Sequence, residues 1–233
     1  MLNWLFVMDI YKGRHFSKKV IAIAVRWYVA YALSYRDIEE LMDERGLKVD
    51  HSTIQRWVES YAPEYEKRFR ANNKVPTGSS WRMDETYIKV KGVWYYLYRC
   101  VDKEGNTVDF YLSKHRDTKA VKAFMKKAIF FNGIPEKVNI DKSGANKAGL
   151  EATNAKLDER KKIFTRQCKY LNNMVEQDHR GIKRIVNPMR GFGSLKSAKA
   201  TIAGIEFWRM LKKSQGANLN YEKPWQQFYE IAA

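Results

Sequence analysis

Between Lys18 and Ala32 the apolar residues Val20, Ile21, Ala24, Val25, Tyr28 and Val29 recur three and four apart, a spacing that predicts a helix with one buried face. Ser34 is placed to cap a second helix with Ile38, Leu41 and Met42 inward, and Gly46 ends it because glycine accepts the positive φ of a helix C-terminus. The string VDHSTIQRWVESYA resumes the helical period, with Asp50 or Ser52 as cap and Ile54, Trp57 and Val58 inward. Two short helices joined by a tight turn, with a third behind them, predict a small all-α helix-turn-helix domain over residues 1–70.

From Ala71 to Ser80 no period survives, and Pro76 and Gly78 mark a linker at 71–80. Beyond it the period becomes two: Asp84, Thr86, Ile88 and Val90 share one face of a strand, Met83 and Tyr87 the other. Gly92 and then DKEGN turn the chain through VWYYLYRCV and TVDFYLSKH, predicting an antiparallel meander in which Trp94, Tyr95, Tyr96 and Tyr98 fill the faces of a central strand, with a base-stacking platform as the alternative reading of the same four rings. A helix carrying Ala120, Val121, Phe124, Met125, Ala128 and Ile129 inward ends at Gly133 and Pro135, and a short strand KVNID ends at Asp141. The pattern then predicts a helix from Ala145 to Arg160, a brief strand KIFTRQ, a helix from Asn173 to Val186 and a last helix from Leu195 to Leu211. The expected fold is α/β, a mixed sheet with flanking helices over 81–215, followed by a tail at 216–233.

Charge narrows the partner. The chain of 233 residues has 43 Lys plus Arg against 26 Asp plus Glu, a net charge of +17, which favours a polyanion and above all nucleic acid. No stretch approaches the about 20 apolar residues of a spanning helix, so no membrane partner is expected. Cys100 and Cys168 form no C-x-x-C pair, which argues against a disulfide framework or zinc knuckle and fits a reducing cytoplasm. Met1 to Val7 is apolar but too short and uncharged for a signal peptide, and Met8 is an alternative start.

Three acids stand out on this basic background. Asp84 lies early on the first strand, Asp141 ends the fourth, and Glu176 lies on a helix; if the two strands are neighbours, all three converge on one sheet edge. Two or three carboxylates suffice for Mg²⁺, and two ions can activate a nucleophile and stabilise a leaving oxygen in phosphoryl transfer. Glu85 or Asp178 could replace its neighbour in such a set. His179, Arg180 and Lys183 follow Glu176 on about the same helix face, forming a basic stripe suited to DNA phosphates. On the third helix Ser52, Thr53, Gln55 and Arg56 are free of core duty; Gln and Arg can read bases and Ser and Thr hold phosphates.

The order of the acids, the 34 residues (142–175) between the last two, Lys183 after Glu176, and the strings HSTIQRW, MDETYIKVKG, TVDFYLS and GIE resemble the DDE transposases of bacterial insertion sequences, specifically insertion sequence family six. The resemblance runs from about Lys12 to Lys213. It implies a ribonuclease H-like catalytic fold, with Asp84, Asp141 and Glu176 as metal ligands and Lys183 as the accompanying basic residue. It further implies Mg²⁺, replaceable by Mn²⁺, with two ions bridged by Asp84; binding to terminal inverted repeats; nicking and joining of 3′-hydroxyls to target DNA, typically as cointegrates; and a homodimer or larger assembly in the bacterial cytoplasm, associated with the nucleoid. Gly181 departs from a good helix former at a cost of about 1 kcal/mol. The rival readings are a helix-turn-helix DNA-binding regulator with an inactive ribonuclease H-like domain, and a nuclease that does not join strands.

Overall fold

Ser17 opens α1, Lys18–Ala30, and Ser34 opens α2, Tyr35–Asp43, where Ser34 and Asp37 cap each other reciprocally. The computed structural model describes residues 10–13 and 15–233, so the alternative start at Met8 lies outside the described residues. Of the two expected caps for α3, His51–Asn72, Asp50 takes the role by accepting from Ser52 N at 2.8 Å. This helix runs on through Pro63 and enters the first residues of the expected linker.

The sheet has the order β3-β2-β1-β4-β5. β1, Ser80–Val90, β2, Val93–Asp102, and β3, Thr107–Ser113, form the expected antiparallel meander. β4, Lys137–Ile140, runs parallel to β1, and β5, Phe164–Gln167, runs parallel to β4. This is the expected ribonuclease H-like mixed sheet. Because β4 is short, it pairs only with Ser80, Trp81 and Arg82, which leaves that edge of β1 without a β4 partner from Met83 onward.

Helices cover both faces. α4, Thr118–Asn132, and α5, Gly144–Asn154, pack through Val121, Phe124, Met125 and Leu150 against Met83, Tyr98, Val108 and Val138. On the other face Ile88, Leu97, Phe110 and Leu112 meet α6, Lys169–Val186, and α7, Leu195–Lys212. α7 is buried nearly all round because it lies between the sheet and the amino-terminal helices. At Gly204 an added Cβ would stand 2.6 Å from Val29 Cγ1 and 2.9 Å from Ala62 Cβ, so glycine permits the close crossing with α1 and α3. One continuous apolar cluster therefore joins α1, α2 and α3 to α6, α7 and the sheet.

Several boundaries differ from the sequence pattern. α5 stops at Asn154, short of Arg160, because the Asn154 side chain bonds both Ile163 N and Ile163 O at 2.9 Å and turns the chain toward β5. α6 begins before Asn173. Within the expected tail, Pro224–Ala232 forms α8, whose Phe228 is fully buried against Tyr65 and Phe207. Among the described residues no helix is long and apolar enough to cross a membrane.

Candidate active site

Arg82 and Asn139 are partners in the parallel pairing of β1 with β4. Asp84 and Asp141 each stand two positions beyond that pair, so strand periodicity brings them level at the same end of the sheet. Asp84, Glu85 and Asp141 can each offer a carboxylate oxygen within 4.8 Å of the others'. Glu85 thus joins its neighbour where the sequence left it as a substitute. Strict alternation sends Glu85 to the opposite face from Asp84, but the unpaired edge of β1 lets both acids meet Asp141 at the end of β4.

Glu176 reaches the site from α6. It lines one recess with Asp84, Glu85, Tyr87, Arg180 and Lys183 and adds its negative charge to the field at Asp84, while staying outside the tight three-acid group. Glu176, Arg180 and Lys183 are exposed on the same side of α6, as the stripe predicted. His179 is not: it is buried, with Nδ1 3.7 Å from Asp84 Oδ2. Burial and the cations Arg99 and Lys183 push its pKa down to about 3, so the ring is neutral and the contact is not an ion pair.

Burial, with help from Glu85, Asp141 and Glu176, pushes Asp84 up to about 7. Glu85 is also raised by burial, partly countered by Arg116 and Asn146. Arg116, from the β3–α4 loop, donates Nε to Glu85 at 3.1 Å and Nη2 to Asp141 at 3.0 Å. Asn146, fully buried on α5, donates to Asp141 Oδ1 at 3.0 Å and lies 3.3 Å from Glu85 Oε2. Neither Arg116 nor Asn146 was singled out from the sequence; the only signal was that Asn146 lies in the first turn of the helix that follows Asp141. The donors are all hard carboxylate oxygens crowded against one another, a set that fits a divalent cation of the Mg²⁺ type.

Asp178, the other substitute weighed from the sequence, belongs elsewhere. It accepts from Arg99 Nη2 at 2.6 Å, from Arg209 and from Lys213 Nζ at 2.9 Å, and these cations hold its carboxyl far below the usual range despite burial. Arg99 also binds Glu206 of α7 at 2.5 Å, so the network ties β2, α6 and α7 together. It also explains Gly181: a Cβ there would strike the Arg209 guanidinium that bonds Asp178.

On α3, Ser52, Gln55 and Arg56 are exposed and Thr53 half-buried. Arg56 Nη2 donates to Thr53 Oγ1 at 2.8 Å, and Gln55 Nε2 to Glu59 Oε1 at 3.2 Å, so the tips of both side chains bond along a polar, solvent-facing side of the helix.

The chain matches the family described as "DDE domain" over residues 78–215 and that described as "Transposase IS66 family" over residues 13–137. It is 43% identical over 209 residues, 89% of this chain and 91% of the relative, to the "Transposase for insertion sequence-like element IS431mec" of Staphylococcus aureus. Identity and coverage are the same for the Staphylococcus aureus "Transposase for insertion sequence element IS257 in transposon Tn4003". Among solved structures, the HTLV-2 integrase catalytic core domain in complex with magnesium aligns with 66% of this chain and 99% of its own at 20% identity and a TM-score of 0.46.

Proposed function

Since the chain belongs to the DDE transposases of bacterial insertion sequences, in insertion sequence family six, we propose that it binds the terminal inverted repeats of its element, nicks them and joins the freed 3′-hydroxyls to target DNA by transesterification. The observation that carries this reading is the meeting of Asp84 and Asp141 at one sheet edge, with Glu176 and Lys183 facing them from α6.

Asp84, Asp141 and Glu176 would hold Mg²⁺, as two ions that Mn²⁺ could replace. Bound there, the metal supplies activation of the attacking oxygen and neutralisation of charge at the scissile phosphate. The protein's own groups do the rest. Lys183 and Arg180, exposed beside Glu176, hold phosphates flanking the scissile bond. Asn146 orients Asp141, and the neutral His179 closes the inner side of Asp84 against water. The amino-terminal helices up to residue 70 read the DNA, with Ser52 and Thr53 on phosphates and Gln55 and Arg56 on base edges, while residues 81–215 carry the chemistry. Joining two ends in concert calls for a homodimer or larger assembly acting on DNA in the bacterial cytoplasm.

Purified protein, Mg²⁺ and a labelled duplex carrying the element's terminal repeat test the reading. Cleavage followed by joining is expected. Binding without cleavage would instead leave a DNA-binding regulator, and cleavage without joining a nuclease.

A further inference from the structure

The hairpin of β1 and β2 has two unlike faces. Ile88, Val90 and Leu97 are buried in the core shared with α6, α7 and Phe192. On the other face the cross-strand partners are Glu85 with Tyr98, Tyr87 with Tyr96, and Lys89 with Trp94. Tyr98 is covered by Phe124 of α4, but toward the turn the covering stops, and Tyr87 and Trp94 are 54% and 58% exposed. The aromatic residues expected to fill both faces of a central strand do so only at its inner end.

A solvent-facing side of an antiparallel pair ordinarily carries polar residues. Here three rings touch in sequence, Tyr87 to Trp94 at 6.3 Å and Tyr87 to Tyr96 at 5.4 Å between centroids, with Lys89 Nζ 5.9 Å from the Trp94 ring. The strip is continuous with the acidic recess. Tyr87 lines that recess with Asp84, Glu176 and Lys183, and Arg116, which grips Glu85 and Asp141, stands near it.

We infer that Tyr87, Tyr96 and Trp94, with Lys89, form a stacking surface for unpaired nucleobases of the DNA strand held at the acidic recess. The inference rests on the transposase reading, which puts a DNA end there. Ring faces stack on any base, and a lysine among them pairs with the backbone phosphate. A duplex offers phosphates but hides its base faces, so an exposed run of rings suits a single strand better.

The test uses full-length protein in EDTA, with labelled oligothymidine as single-strand probe and a duplex of the same length beside it, at salt high enough to suppress non-specific phosphate binding. Tyr87→Ala and Trp94→Ala are each expected to weaken single-strand binding about tenfold while leaving duplex binding within about twofold. Tyr87→Phe and Trp94→Phe keep a ring and retain the affinity. Circular dichroism confirms that the variants are folded, and the phenylalanine pair keeps the comparison open if an alanine variant is not. Wild-type single-strand affinity in both alanine variants overturns the proposal. So does an equal loss on duplex, and so does unchanged DNA binding with lost self-association in sedimentation, which makes the strip a contact between copies. Metal and cleavage play no part in the readout. A protein that stacks single strands but never joins ends therefore keeps the strip and loses the transfer chemistry, and the opposite result does the reverse.

Discussion

Arg116 Nη2 stands 3.0 Å from Asp141 Oδ2, so a cation from the protein itself already neutralises one of the acids expected to hold metal. The same guanidinium binds Glu85. Removing it with Arg116→Ala leaves the carboxylates more negative and without a competitor. Mn²⁺ binding measured by calorimetry is expected to tighten several-fold. Weaker binding would mean that Arg116 shapes the site more than it competes with the ion.

Asp84 makes the metal-free protein sensitive to pH. Its carboxyl lies at about 7 when folded against 3.8 ordinarily, so between those values the folded state holds a proton that the unfolded chain has released. Stability from this group is therefore full below the lower value and lost as pH rises through the upper one. His179, depressed to about 3, works in the opposite direction but is present in both proteins of the comparison. In EDTA, Asp84→Asn is expected to exceed wild type in stability by a margin that grows from pH 4 to 7, reaches on the order of a few kcal/mol, and then levels off. A margin independent of pH in thermal unfolding would contradict this.

Two acids on α6, two residues apart, differ in kind. Asp178 joins three cations in a nearly buried network, whereas Glu176 is exposed. Without metal, Asp178→Ala should lower unfolding free energy by about 3–5 kcal/mol, because it strands buried positive charge. Glu176→Gln should stay within about 0.5 kcal/mol of wild type. Urea unfolding curves separate the two.

Arg56 extends from the exposed side of α3. Arg56→Ala is expected to relax preference at one base position by about 1–3 kcal/mol in binding assays across end variants. A uniform loss on all sequences would make it a phosphate contact.

Much of this was legible in local patterns. The period of two exposed β1 and its flanking strands, and helical spacing exposed α1 through α4, because each element buries one regular face. The meeting of Asp84 with Asp141 depended on the pairing of Arg82 with Asn139, a contact between distant strands that no local period encodes. Glu85 reads from the sequence only as a substitute for its neighbour; that both acids meet Asp141 depends on the edge of β1 that β4 leaves free, which no local period encodes. His179 sits beside Glu176 on a helical wheel, yet packing turns it inward. α8 was missed because a helix of nine residues depends on its contacts, here Phe228 against Tyr65 and Phe207, more than on its own period.

The central claim is that Asp84, Asp141 and Glu176 act together in strand transfer. The direct measurement is Mg²⁺-dependent joining of a labelled element end to target DNA by Asp84→Asn, Asp141→Asn and Glu176→Gln, with folding and end binding checked in parallel. Each variant should bind ends as wild type does and fail to join them. Wild-type joining by any one of the three would contradict the account.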